Sequence, residues 1–305
     1  MNRDEPAIGP LGRDLAADPQ GRDLPLDSHL HTDQSSDSDV PIDVYAAAAV
    51  ERGIAELAIT DHIDFDPRWP NFAPDVQARE RIVREAAERW APHGVAIHFG
   101  LEVSYESGRE AEIREHLARH PYDFVIGSVH VGVGSPYESS RVAAWTRGRS
   151  LDAIVAPYFA EVLAAARSGL FDTLGHLDYV KRYVAGQVSI AALADRLDLY
   201  EPILDALVET GTGLEINTSG LRQAAAETYP SPGAVALYHA LGGSRVSTGS
   251  DAHRADWFAH GLEAGYRVAV GAGFDAVSFR RGSVRVALPV PGRLREPNGA
   301  GRATL

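Results

Sequence analysis

A chain of 305 residues with 45% apolar residues is long enough for one large α/β barrel or two ordinary domains, and its composition is that of a soluble globular protein. It has no cysteine, which excludes disulfides and thiolate ligands, so any metal must be held by His, Asp and Glu, a donor set suited to zinc, manganese or iron. The net charge of −13 belongs to the body: residues 1–23 carry three Arg against five acids, residues 291–305 three Arg against one acid, and the two tails cancel. That balance argues against a nucleic-acid partner, which needs a basic face, but is compatible with a small anionic substrate held by a few local cations.

Residues 1–23, rich in Gly, Pro, Asp and Arg without apolar periodicity, read as a disordered tail. The first strand follows Leu24-Pro25-Leu26 and ends in Asp27-Ser28-His29-Leu30-His31-Thr32. A polar loop, Asp33 to Asp39, leads into a helix that starts near Pro41 and is closed by Gly53. Glu56 to Thr60 is a short buried strand ending in Asp61-His62. A loop with Trp69, Phe72 and three prolines precedes an amphipathic helix from Val76 to Trp90. The third strand, Val95 to Leu101, ends in Glu102, and a helix runs from Gly108 to His120.

Tyr122 to Ser128 is the fourth strand, ending in His130. A Gly- and Ser-containing insertion and a helix from Ser150 to Ser168 come next. The fifth strand, Phe171 to Gly175, ends in His176 and Asp178. It is followed by a long helix, Ile190 to Thr210. The sixth strand is Gly213 to Asn217, with a short helix from Pro232 to Leu241. The seventh, Arg245 to Ser250, ends in Asp251 and His253, and a last helix covers Asp256 to Val270. Phe274 to Val290 reads as a hairpin or edge strand, and 291–305 as a second tail.

Strand followed by helix, seven times over with short connections, predicts parallel strands with helices outside. No Gly-x-Gly-x-x-Gly follows a strand, so a dinucleotide fold has no support. A seven-stranded (β/α) barrel of TIM-like type over residues 24–290 is the expectation, and in such a barrel chemistry sits at the C-terminal ends of the strands. Those ends carry His29, His31, His62, Glu102, His130, His176, Asp251 and His253. Residues two apart on a strand share a side, so His29 and His31 aim at one spot, as do Asp251 and His253. Asp37, six residues past His31, is a further possible ligand, while Asp61 and Asp178 are placed to orient an imidazole. The other six histidines fall in helices, strand interiors or loops and receive no role. Nine side chains are too many for one zinc with its usual four ligands. They suit two or three ions sharing a carboxylate, with Glu102 as the natural bridge. Two-metal sites activate a water and stabilise in-line displacement at phosphorus.

As an ordered set, Asp27-Ser28-His29-Leu30-His31-Thr32, Ile59-Thr60-Asp61-His62, Gly100-Leu101-Glu102, Gly127-Ser128-Val129-His130, Gly175-His176-Leu177-Asp178 and Gly249-Ser250-Asp251-Ala252-His253 resemble the motifs of the polymerase and histidinol phosphatase (PHP) family. The resemblance runs from about Leu24 to Val290. It implies a distorted seven-stranded barrel, a trinuclear metal site and hydrolysis of phosphate esters. Ser35-Ser36-Asp37-Ser38, Lys181-Arg182-Tyr183 and Glu215 to Arg222 look closest to the histidinol-phosphate phosphatases within the family. There Asp37 stands at a ligand position that other members fill with His, and Arg182 and Arg222 would bind the substrate phosphate, as bidentate guanidinium groups do.

The expected activity is therefore phosphomonoester hydrolysis, with L-histidinol phosphate as substrate and a hydroxide held between metals as nucleophile. Glu102, Asp251 and His253 are the expected catalytic positions. Another PHP phosphoesterase acting on nucleotides or phosphotyrosine is the nearest alternative. An amidohydrolase is disfavoured because the only lysine, Lys181, follows the fifth strand and His130 ends the fourth. A non-catalytic metal-binding module would be expected to have lost ligands, and none is missing. Asp64 and Asp66 could meet the amine of histidinol phosphate, and Trp69 or Phe72 could serve as a platform for a nucleotide base. With no charged leader before an apolar run and no membrane-length stretch, a cytoplasmic protein without a membrane partner is expected.

Overall fold

The computed structural model describes residues 22–69, 74–131 and 134–295. Phe72 and nearly all of the N-terminal tail lie outside them. In chain order the elements that build the barrel begin with β1 (Leu26–Leu30), α1 (Ile42–Arg52), β2 (Glu56–Ile59), β3 (His62–Asp64), α2 (Val76–Trp90), β4 (Ala96–Ser104) and α3 (Glu110–Arg119). They continue with β5 (Phe124–Ser128), α4 (Val142–Trp145), α5 (Leu151–Ser168), β6 (Thr173–Leu174), α6 (Val180–Val184), α7 (Ile190–Ala194) and α8 (Leu197–Thr210). The last are β7 (Gly213–Asn217), α9 (Pro232–Ala240), β8 (Val246–Gly249), α10 (Leu262–Gly271), β9 (Ala276–Arg281) and β10 (Val284–Pro289).

The main sheet has the order β1-β2-β4-β5-β6-β7-β8, all parallel, with β3 also pairing β4. β2 and β3 are one barrel position interrupted at Thr60 and Asp61, so seven positions go round, as the sequence pattern predicts. Closure between β1 and β8 is by a single parallel bridge, Leu30 with Ala252, and by the His31 amide donating to the Ala252 carbonyl at 3.0 Å and the Asp251 amide to the His29 carbonyl at 2.9 Å. The barrel is therefore nearly closed and distorted at the seam. Gly249 permits that closeness: a Cβ there would lie 2.3 Å from the His29 Cβ.

β1, β2, β5 and β7 are buried along their whole length, as expected for parallel strands covered on both faces. β9 and β10 form a separate antiparallel hairpin, which resolves the choice between hairpin and edge strand. Phe279 of β9 packs on Phe124 at 4.6 Å and on His98 at 5.0 Å, and Arg280 forks onto Asp172 at 2.7 and 2.8 Å. The hairpin thus covers the end of the barrel where β5 and β6 begin, leaving the C-terminal end of the strands for the site. Packing continues past residue 290, because Leu294 is buried within a turn of 3-10 helix.

Three helix boundaries differ from the sequence pattern. The span 190–210 is two helices, α7 and α8, broken at Asp195 and Arg196. The apolar stripe runs through the break from Leu193 to Tyr200, so periodicity does not reveal it. The helix expected from Asp256 begins only at Leu262, because Ala259 and Gly261 take positive φ of 55° and 68°. The helix expected from Gly108 starts at Glu110 after a 3-10 turn.

Candidate metal centre

The register of the strands builds the site. Pairing of β3 with β4 sets His62 beside Glu102. The β1–β8 seam sets His29 and His31 beside Asp251. Glu102 is fully buried at the middle. Its Oε2 lies 3.2 Å from His29 Nε2, 3.3 Å from His31 Nε2 and 3.0 Å from His62 Nδ1. Its Oε1 lies 2.9 Å from His176 Nε2 and 3.5 Å from His130 Nε2. The two oxygens of one carboxylate therefore face different sets of imidazoles. Asp37 Oδ2 lies 3.3 Å from His62 Nε2 and 3.1 Å from His253 Nε2. Asp251 Oδ1 lies 3.4 Å from both His31 Nε2 and His253 Nδ1. All nine side chains singled out in the sequence as ligands converge here. Asp251 does so with a φ of 53°, a left-handed conformation that Asp tolerates better than most residues.

Ligand atoms within 4.8 Å of one another define three groups: His31, Asp37, His62 and His253; His29, His31 and Asp251; and His62, Glu102 and His130. His176 adjoins the third through Glu102.

Burial opposes charge on these groups, and their neighbours decide each outcome. His29 is disfavoured as a cation by burial, yet the carboxylates of Glu215, Glu102 and Asp251 hold it well above its ordinary value. His62, likewise buried, is raised to about 10 by Glu102 and Asp37. His31 is pushed well below the imidazole range by burial and by His253 and His62. Burial would raise Glu102 and Asp251, but the surrounding imidazoles hold both well below the carboxylate range. Protons alone leave the cluster poorly satisfied. Among the described residues, His29 Nε2, both ring nitrogens of His31, Glu102 Oε2, Asp37 Oδ1 and His176 Nδ1 are buried without a hydrogen bond. Each such atom costs about 1–3 kcal/mol. Cations would answer the atoms that face the cluster, His29 Nε2, His31 Nε2 and Glu102 Oε2 among them, so the donor set fits a polynuclear site of hard-to-borderline divalent ions.

Glu215, fully buried in β7, is the functional residue for which sequence reasoning gave no role. Its Oε1 meets His29 Nδ1 at 2.6 Å, and its Oε2 accepts from the His176 amide at 2.8 Å and from Asn217 Nδ2 at 3.1 Å. It fixes the tautomer and orientation of the His29 imidazole, a candidate ligand. An acid between Leu214 and Ile216 in an otherwise apolar strand was the available signal. The expectation that Asp61 and Asp178 do this is corrected. Asp61 accepts from the Thr32 amide at 2.6 Å and hydroxyl at 2.8 Å, holding the first loop. Asp178 accepts from Lys181 at 2.5 Å and from the Tyr200 hydroxyl at 2.8 Å, and Lys181 also pairs with Glu227.

Both predicted phosphate-binding arginines stand at the edge of the cluster. Arg182, on α6, contacts the Tyr179 hydroxyl and lies 5.3 Å over its ring, and that ring meets His176 at 4.4 Å. Arg222 donates to the Ser250 and Asp251 carbonyls at 2.7 and 2.6 Å and stacks 4.7 Å over Trp257. Asp64 ends β3, beside the site. Asp66 is neutralised by Arg68, whose Nε donates at 2.8 and 2.6 Å, so it is no longer a free rim acid.

Fold and cluster together define an α/β barrel of the distorted, seven-stranded kind, with a cluster of side chains that could hold metal ions at its C-terminal end. A family model for the PHP domain matches residues 27–219. The chain belongs to the PHP domain family. A probable histidinol-phosphatase of Deinococcus radiodurans is 33% identical over 245 residues, covering 75% of this chain and 86% of the relative. The histidinol-phosphatase of Lactococcus lactis is 28% identical over 244 residues, covering 76% of this chain and 86% of its own. The crystal structure of histidinol phosphate phosphatase from Lactococcus lactis subsp. lactis Il1403, complexed with Zn, L-histidinol and phosphate, shares the fold with a TM-score of 0.73 at 23% identity. That match covers 86% of this chain and 98% of the crystal structure's chain. Among the described residues no helix is long and apolar enough to cross a membrane.

Proposed function

We propose that this chain is a metal-dependent phosphomonoesterase that hydrolyses L-histidinol phosphate to L-histidinol and phosphate. The observation that carries the reading is the buried Glu102, with one oxygen toward His29, His31 and His62 and the other toward His130 and His176. Two or three ions, zinc, manganese or iron, would be held by His29, His31, Asp37, His62, Glu102, His130, His176, Asp251 and His253. When bound, such ions supply Lewis acidity toward phosphate oxygens and a water that is nucleophilic near neutral pH.

The chain's own residues do the rest. Glu102, Asp251 and His253 line the reacting side of the cluster. Glu215 holds the His29 ring so that Nε2 points inward. Arg182 and Arg222 bring cations to the phosphate from two sides. Arg222 donates to the Ser250 and Asp251 carbonyls, so the guanidinium that would meet the phosphate is itself fixed beside the Asp251 backbone. Asp64, two residues past His62 on β3, is the rim acid that would meet an amine on the leaving group, while Glu106 close to it is countered by Arg109 at 4.0 Å.

The test is phosphate release by metal-replete protein from L-histidinol phosphate and from a panel of nucleoside monophosphates and phosphotyrosine. The proposal expects kcat/KM for histidinol phosphate at least about tenfold above every other ester, about 1.4 kcal/mol of transition-state binding. Nucleotides turned over equally well would leave only a general phosphoesterase.

A further inference from the structure

Arg79 lies on the buried face of α2 with Val76, Val83 and Ala86, a position that ordinarily takes an apolar residue. It is only 4% exposed, and its guanidinium donates to backbone carbonyls. Nη1 donates to Asp61 at 3.2 Å and His62 at 3.0 Å, and Nη2 donates to Gln34 at 2.6 Å. Those carbonyls belong to two different segments. One is the loop after β1, which carries Asp37. The other runs from the break between β2 and β3 into His62, the first residue of β3. Asp37 and His62 stand 3.3 Å apart in the group that also contains His31 and His253. His62 also enters the group with Glu102 and His130, but only the group with His31 and His253 draws a ligand from each of the two segments, and we infer that Arg79 is a positioning residue for that cation subsite, which Asp37 completes. The inference rests on the metal-dependent reading above.

The same junction is tied by Asp61 accepting from Thr32 and by the His62 amide donating to Ser35 Oγ at 3.1 Å. Arg79 reaches into it from α2 and spans both backbones with a planar fork. A lysine, with a single ammonium at the end of a flexible stem, does not reproduce that geometry. The charge itself works against the site. A buried cation near Asp37 repels a metal ion, so on Coulomb grounds alone its removal would tighten metal binding. Positioning and charge therefore predict opposite signs for the same substitution.

The experiment is stepwise return of zinc to chelator-stripped protein, read by competition with a chromophoric chelator and by elemental analysis, for wild type, Arg79→Met and Arg79→Lys. Arg79→Met and Arg79→Lys should each lose affinity for one ion by about 10- to 100-fold, the usual effect of removing a group that orients ligands, with the remaining ions retained. Arg79→Lys keeps the charge and the fold where Arg79→Met does not fold. Wild-type affinity for every ion, tighter binding in Arg79→Met, or a uniform loss across all ions would each overturn the inference. A wild-type protein that takes up no zinc would overturn the metal reading and this inference together. Metal-replete wild type with indifferent variants would overturn this inference alone.

Discussion

Glu215→Gln isolates the contribution of one buried oxygen pair. In the native protein Oε1 faces His29 Nδ1, and Oε2 accepts from two N–H donors, the His176 amide and Asn217 Nδ2. Gln has the same shape but only one acceptor oxygen. With its oxygen toward the two donors, its NH2 faces His29 Nδ1, which must then accept. The His29 proton moves to Nε2, the nitrogen that points at Glu102 and Asp251. With the amide turned over, NH2 meets two donors and leaves them buried and unsatisfied, at about 1–3 kcal/mol each. The first arrangement is therefore favoured, and it blocks a ligand nitrogen without disturbing the packing. Expected outcomes are metal affinity reduced about 10- to 100-fold, by chelator competition, in a protein whose circular dichroism matches wild type. Glu215→Gln with wild-type affinity and a wild-type fold would refute the reasoning.

Other substitutions have separable signatures. Glu102→Gln should cost more than about 100-fold in phosphate release, beyond the effect of losing a merely orienting group, while circular dichroism shows the barrel intact. Arg222→Ala should lower kcat/KM about tenfold or more for histidinol phosphate and nucleotides alike, because it acts on their shared phosphate. Gly249→Ala places a Cβ 2.3 Å from the His29 Cβ and 2.9 Å from Glu215 Oε1, so stability by urea titration should fall by about 1–3 kcal/mol, together with metal affinity.

The barrel and the cluster of candidate ligands were legible because strand ends are marked in the chain. Six of the seven apolar runs stop at a His, Glu or Asp, the sixth ending instead in Asn217, and in a parallel barrel every such stop reaches the same end. His29 with His31, and Asp251 with His253, also carry the period of the strand in their spacing. What the sequence did not disclose depends on contacts between distant segments. Asp61 lies next to a ligand in sequence yet serves Thr32, whereas Glu215, 186 residues from His29, orients it. Asp66 looked like a free acid until Arg68 folded back onto it. Arg79 reads as one charged residue of an amphipathic helix, and only the structure puts it on three carbonyls. The break of β2 at Thr60 and Asp61 leaves no mark in hydrophobicity, because both flanks are buried.

The central claim, that nine side chains, six of them buried and three partly buried, hold ions rather than protons, is tested most directly by counting metals. Protein reconstituted with excess zinc or manganese, freed of loose ions and analysed by inductively coupled plasma mass spectrometry, should carry two or three ions per chain. One ion per chain, or none, in folded protein would contradict the account.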